Sequence, residues 1–222
     1  MSYTALIIEP RKHAAMQFVL TNFYENLDER WNFLIYHGIE NEDWMKELVN
    51  TFSEGNKRRT EIRKLDFVNI LPHQYSAIMV NPAFIKSIPT EVFLVFQTDT
   101  MISSVHKDLI YNYMEYDYVG APWPDGNVGN GGLSLRKRSK MLEIAEKAPY
   151  SPPYGEDLFF SFAMGIVDVY KPSFEKAKEF SIETIYNPIS FGIHKAWRWT
   201  NKVTEEQCPG YTTLVALNLA YY

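Results

Sequence analysis

Asp99 ends the stretch "VFLVFQTDT", where an apolar, β-branched run stops and polar residues begin. A carboxylate just past a buried strand can hold a divalent cation together with a diphosphate, because hard cations take oxygen ligands. The same position also suits Thr98 or Asp99 as a cap for a following helix. Glu156 and Asp157 stand side by side in "PPYGEDLFFSFAMG". One of them could act as a general base on an attacking hydroxyl. An acidic pair at a helix N-terminus is equally accounted for by the helix dipole. His194, in "FSIETIYNPISFGIHKAW", could join Asp99 as a metal ligand or serve as a structural histidine among apolar neighbours.

Asn130-Gly131-Gly132, in "YDYVGAPWPDGNVGNGGLSLRKRSK", raises a different question. Successive glycines cost conformational entropy on folding, so they mark a sharp turn or a close approach to the backbone. Asn-Gly between apolar runs is also a two-residue hairpin signal. Walker-type loops, glycine-rich dinucleotide fingerprints, His-Glu-x-x-His helices and nucleophile elbows are absent from the sequence.

The elements that must position these groups alternate. Strands are expected at Tyr3–Glu9, Trp31–His37, Thr60–Leu65 and Val92–Phe96. Helices are expected at Lys12–Asn26, after a capping Asn41, at Gln74–Lys86, Ser104–Met114 and Lys137–Lys147. That alternation implies an α/β fold with a mostly parallel sheet covered on both faces. Ligands then bind beyond the carboxyl ends of the strands, where Glu9, Arg11, Gln97, Thr98 and Asp99 fall. The apolar end of the chain, after "CPGY", reads as a helix packed on the core or the beginning of something longer.

With 222 residues, the chain suits one large domain, and 46% apolar residues suffice for its core. Its 22 basic and 27 acidic residues give a net charge of −5, which argues against a nucleic-acid partner. The basic run "NKRRTEIRK" is short enough to be a solvated loop or edge. The single Cys208 excludes an intrachain disulfide and fits a reducing, cytoplasmic compartment. No apolar run has the length of a membrane helix, so no integral membrane segment is expected.

The order strand–Gln-Thr-Asp, "VGNGGLSLR", "GEDLFF", "FGIHKAW" resembles the nucleotide-sugar-dependent glycosyltransferases of GT-A fold. It is most similar to a family of glycosyltransferase-like domains of bacteria and large DNA viruses, from "ALIIEPR" to "HKAW". The resemblance implies a single GT-A-like, Rossmann-like domain over 1–222, with a central, mostly parallel, twisted sheet flanked by helices. Residues to about 100 would bind nucleotide, and those from about 101 would serve acceptor and catalysis.

It further implies Gln97-Thr98-Asp99 in the place of an Asp-x-Asp motif, with Gln97 departing from the first acidic position. Asp99 and His194 would hold Mn²⁺ or Mg²⁺. Asp157 would be the catalytic base, with Glu156 as competitor or acceptor-binding neighbour. Glu9 and Arg11 would receive the nucleotide, Gly131 and Gly132 would let a sugar approach, and Trp123 would stack on an acceptor. The expected reaction is inverting transfer from a nucleotide-sugar, UDP-sugar favoured, to a glycan or other hydroxyl acceptor. The alternatives are a non-catalytic GT-A-like glycan- or protein-binding module and, last, a nucleotidyltransferase.

Overall fold

The structure, a computed structural model, describes residues 1–53 and 59–221. In chain order its elements are β1 (Tyr3–Ile8), α1 (Met16–Asn26), β2 (Trp31–His37), α2 (Glu42–Ser53), β3 (Thr60–Lys64), α3 (Pro72–Met79), α4 (Pro82–Ser87) and β4 (Val92–Val95). There follow β5 (Thr100–Ile102), β6 (Tyr118–Val119), β7 (Ser134–Lys137), α5 (Arg138–Lys147), α6 (Glu156–Phe162), α7 (Phe174–Lys178), β8 (Ser181–Ile182), β9 (Gly192–His194) and α8 (Tyr211–Leu219).

The main sheet has six strands in the order β3-β2-β1-β4-β7-β6. β3, β2, β1 and β4 run parallel, and β7 pairs antiparallel with β4 and β6. Period-two alternation in β1 divides the core between the sheet's faces. Ala5 and Ile7 join α1, α2 and α8 through Phe23, Met45 and Leu214. Leu6 and Ile8 join α4, α5 and α6 through Ile85, Ile144 and Phe160. Burial on both sides is why the strands read as continuous apolar runs. The mixed α/β layering is the expected architecture.

β2 has the expected bounds, and β1, β3 and β4 end a residue early. The expected Gln74–Lys86 helix is two short helices. Pro82 disfavours helical backbone at Asn81, and the Asn81 side chain accepts N–H bonds from Ala83 (2.8 Å) and Phe84 (3.3 Å) to start α4. Asn41 does not spend its side chain on α2. It accepts from Gly38 N–H and donates to the Glu9 and Arg11 carbonyls, tying the ends of β2 and β1 together. In place of a Ser104–Met114 helix, a 3₁₀ turn spans Lys107–Tyr113.

The Asn130-Gly131 hairpin turn is also corrected. β6 and β7 do pair, but the chain reverses around Asp125-Gly126, with Trp123 N–H and the Asn127 carbonyl 2.8 Å apart. Within the basic run, Thr60–Lys64 forms edge strand β3, whereas Asn56, Lys57 and Arg58 lie outside the described residues. Among the described residues no helix is long and apolar enough to cross a membrane.

A second sheet, β5-β9-β8, sits at the carboxyl end of the first. Its register sets Thr100 beside His194, and Ile182 beside Ile193. Asp99 and Glu183 therefore flank His194 from the two neighbouring strands. No helix follows Asp99, so the helix-cap reading of Thr98 and Asp99 falls.

Candidate active site

The main sheet changes direction of winding between β1 and β4, the position where open α/β sheets receive ligands. A cleft of about 460 Å³ opens there. Glu9 and Arg11 reach it from the end of β1, and Gln97, Thr98 and Asp99 from the end of β4. Gly131, Gly132, Glu156, Asp157 and His194 close the other side. Residues nearly two hundred positions apart in sequence thus share one cavity. Trp123 does not line it; its ring stacks on Phe162, with centroids 6.2 Å apart.

Glu9 is buried, and both its carboxylate oxygens accept from the Arg11 guanidinium, at 2.7 and 2.8 Å. Thr100 closes the turn before β5 by donating its hydroxyl to the Gln97 carbonyl at 2.7 Å. The Lys195 N–H binds the Asp99 carbonyl at 2.8 Å, which aligns the β4 turn with the end of β9. The Asn218 amide donates to the Thr98 carbonyl at 3.0 Å and docks α8 beneath the same turn.

Glu156 is held in an ion pair. The fully buried Arg136 grips it with two bonds, Nη1 to Oε2 at 2.6 Å and Nη2 to Oε1 at 3.1 Å. Burial lifts the Glu156 carboxyl above its ordinary value, against the pull of the Arg136 charge. Such two-pronged geometry is that of an ion pair. Arg136 also lies over the Tyr118 ring and bonds Ser134, so the pair fixes the start of α6. Asp157, the next residue, is half-buried and faces the cleft, where its Oδ2 accepts the Gly131 N–H at 3.3 Å.

The glycines are required by these side chains. A Cβ on Gly132 would lie 2.2 Å from the His194 ring, and one on Gly131 would lie 2.5 Å from Glu156 Oε1 and 2.8 Å from Asp157 Cβ. Behind them Leu133 and Leu135 anchor the chain in the core.

His194 is buried, with Nδ1 2.7 Å from Asn130 Oδ1 and Nε2 3.4 Å from Asp99 Oδ1. Nε2 and that Asp99 oxygen are both buried without a hydrogen-bond partner. Burial alone would raise the Asp99 carboxyl. The electrostatic pull of His194 and then of Lys195 more than offsets this and holds it below the usual carboxylate range. The Asp99 carboxylate facing that ring nitrogen calls for something positive between them, a proton on Nε2 or a cation. A divalent cation, which takes oxygen and imidazole ligands, fits the chemistry of that pair. Among the described residues no cluster of three or more His, Cys, Asp or Glu is available to bind a metal unaided.

The sequence did not single out Asn130, Arg136, Glu183 or Lys195 for these positions. Glu183 is buried, with Oε1 3.6 Å from His194 Nδ1 and 3.8 Å from Lys195 Nζ; burial raises its carboxyl. Lys195 has a left-handed backbone (φ 36°), unusual for a residue with a side chain. Only strand register brings Glu183 to His194, and no local pattern signals it.

Solved structures share this fold. GlyE, a glycosyltransferase of Streptococcus pneumoniae TIGR4, matches at a TM-score of 0.58 and 10% identity over 99% of this chain and 61% of its own. The mannosyltransferase PcManGT from Pyrobaculum calidifontis, in complex with GDP-Man and Mn²⁺, matches at 0.56 and 13% identity over 77% of this chain and 54% of its own. TarS 1-349 from S. aureus, in complex with UDP-GlcNAc, matches at 0.52 and 12% identity over 78% of this chain and 56% of its own. The chain therefore spans less than two thirds of each of these chains, and its fold is GT-A-like. A family model described as "Protein of unknown function (DUF5672)" matches residues 60–194, more than half of the sequence, and the chain belongs to that family. Comparison with curated proteins finds no match.

Proposed function

We propose that the protein is a glycosyltransferase that moves a sugar from a nucleotide-sugar, UDP-sugar favoured, to a hydroxyl acceptor with inversion. The observation that carries this reading is the convergence of Asp99, His194 and Asp157 on one cleft at the sheet's switch point. GT-A-like neighbours whose structures contain GDP-Man with Mn²⁺, or UDP-GlcNAc, support it. Mn²⁺ or Mg²⁺, held by Asp99 and His194, would stabilise the negative charge that grows on the departing diphosphate.

Arg11, paired with Glu9, and Lys195 also line the cleft and offer N–H donors to the diphosphate. Gln97 and Thr98 face the donor and offer polar groups to its sugar or ribose. The cleft continues past Arg11 and Asn69 into a second hollow of about 510 Å³ beside Tyr221, with room for the rest of the nucleotide. Asp157, across the cleft from the end of β4, accepts the proton of the acceptor hydroxyl. That oxygen forms its bond to the anomeric carbon as the bond to the diphosphate breaks on the far face. Glu156 holds α6 in place and takes no proton.

A second reading, a non-catalytic GT-A-like module that binds glycans or protein, is favoured by Gln97, which removes one carboxylate from the cation side. Asp157→Asn separates the two. Turnover of radiolabelled UDP-sugars or GDP-mannose, followed as transfer or donor hydrolysis, should fall about 10²- to 10⁴-fold while donor affinity stays unchanged. Unchanged turnover would remove Asp157 as the base, and a wild-type protein that binds glycan but turns over no donor would favour the module.

A further inference from the structure

Asn130 makes two contacts with the same oxygen. Its Oδ1 lies 3.2 Å from the Gly132 backbone nitrogen and 2.7 Å from His194 Nδ1. A backbone N–H can only donate, so the Gly132 contact identifies the atom as the amide oxygen rather than the nitrogen. An amide oxygen can only accept, so His194 Nδ1 must carry a proton. In the neutral ring the lone pair then belongs to Nε2, the atom that faces Asp99 Oδ1 across 3.4 Å. Neither of those facing atoms has a hydrogen-bond partner.

Asn130 is 8% exposed and His194 2%, so water does not compete freely for this contact. Gly132 completes the arrangement: the imidazole occupies the space a Cβ there would need. Glu183 Oε1, 3.6 Å from Nδ1, is beyond hydrogen-bond distance and leaves Asn130 as the partner of that nitrogen.

We propose that Asn130 is a positioning residue: it locks His194 in the Nδ1–H tautomer and so turns the Nε2 lone pair towards the cation site at Asp99. The proposal rests on the cation-assisted reading above. The nitrogen a histidine offers to a metal is set by the hydrogen bond its other nitrogen makes, and loss of such a supporting partner costs about 10- to 100-fold in metal affinity. A merely structural Asn130 would leave the tautomer of His194 unchanged.

Two measurements on the full chain test this. Long-range ¹H–¹⁵N correlation of ¹⁵N-histidine-labelled protein at pH 8, with His194→Gln to assign the signal, reports which ring nitrogen is protonated. Mn²⁺ titration in the presence of UDP or GDP, followed by loss of the free-ion EPR signal, reports affinity. Wild type should show Nδ1–H. Asn130→Ala should shift the ring towards Nε2–H and weaken Mn²⁺ about 10- to 100-fold. Asn130→Asp keeps an acceptor in place and should retain both the tautomer and most of the affinity, which guards against an Ala variant that fails to fold. A wild-type His194 with Nε2–H, or an Asn130→Ala variant with unchanged tautomer and affinity, would overturn the lock. Nδ1–H in a wild type that binds no Mn²⁺ with either nucleotide would instead overturn the cation reading, and with it the purpose assigned to the lock.

Discussion

Gly132 has no side chain because His194 occupies the space one would fill, with ring atoms 2.2 Å from the place of a Cβ. The backbone at Gly132 is not left-handed, so alanine would be excluded by contact alone. Gly132→Ala must move either the strand or the imidazole. Overpacking of this kind costs about 1–3 kcal/mol, and thermal melting should record a loss of that size. The same variant should lose cation-dependent nucleotide binding. If it melts and binds like wild type, the glycine serves some other purpose. The double glycine was legible in the sequence as a place of close approach. What approaches is a side chain sixty-two positions away, and no local pattern carries that information.

At the scale of the element, α6 and β7 are joined by the Arg136–Glu156 pair. Removing one member of a buried ion pair leaves the other charge without a partner, at a cost of about 3–5 kcal/mol. Glu156→Ala should lower the urea midpoint accordingly and also cut activity, because Asp157 is carried by the same helix start. A stability loss below about 1 kcal/mol would contradict the pair's structural role. The elements themselves were largely readable. Fully buried parallel strands announce themselves as apolar runs, and β2 was placed to the residue. The short β5, β8 and β9 were not anticipated. Strands of two or three residues hold too little periodic signal, and they exist because the edge of the second sheet is completed by distant partners. The helix break at Asn81-Pro82 was visible in principle, because an Asn before Pro both caps and interrupts.

Over the whole molecule, the apolar core sets the chemistry of groups far from the cleft. Cys208 is fully buried, and burial pushes its thiol from 9.0 up to about 12. At pH 8 it is therefore the neutral thiol in the folded protein and a partial thiolate when exposed. An aromatic disulfide reagent should react with it at pH 8 only at the rate of unfolding, and at once in guanidinium. Because the folded value is raised, the thiol's contribution to stability is complete below pH 9 and is lost as pH rises towards 12. Rapid reaction of the native protein would show that the core around α8 opens. The α/β architecture and the carboxyl-end location of the cleft followed from the alternation of strands and helices. Which residues meet across that cleft followed only from the sheet order, which places β4 beside β1 and β9 beside β5.

The central claim is that Asp99 and His194 hold a cation at a nucleotide-sugar site. Calorimetric titration with UDP, GDP, CDP and dTDP, each with Mn²⁺ and with EDTA, tests it most directly. One nucleotide should bind with Mn²⁺, and EDTA or Asp99→Asn should abolish that binding. A folded protein that binds none of the four under either condition would contradict it.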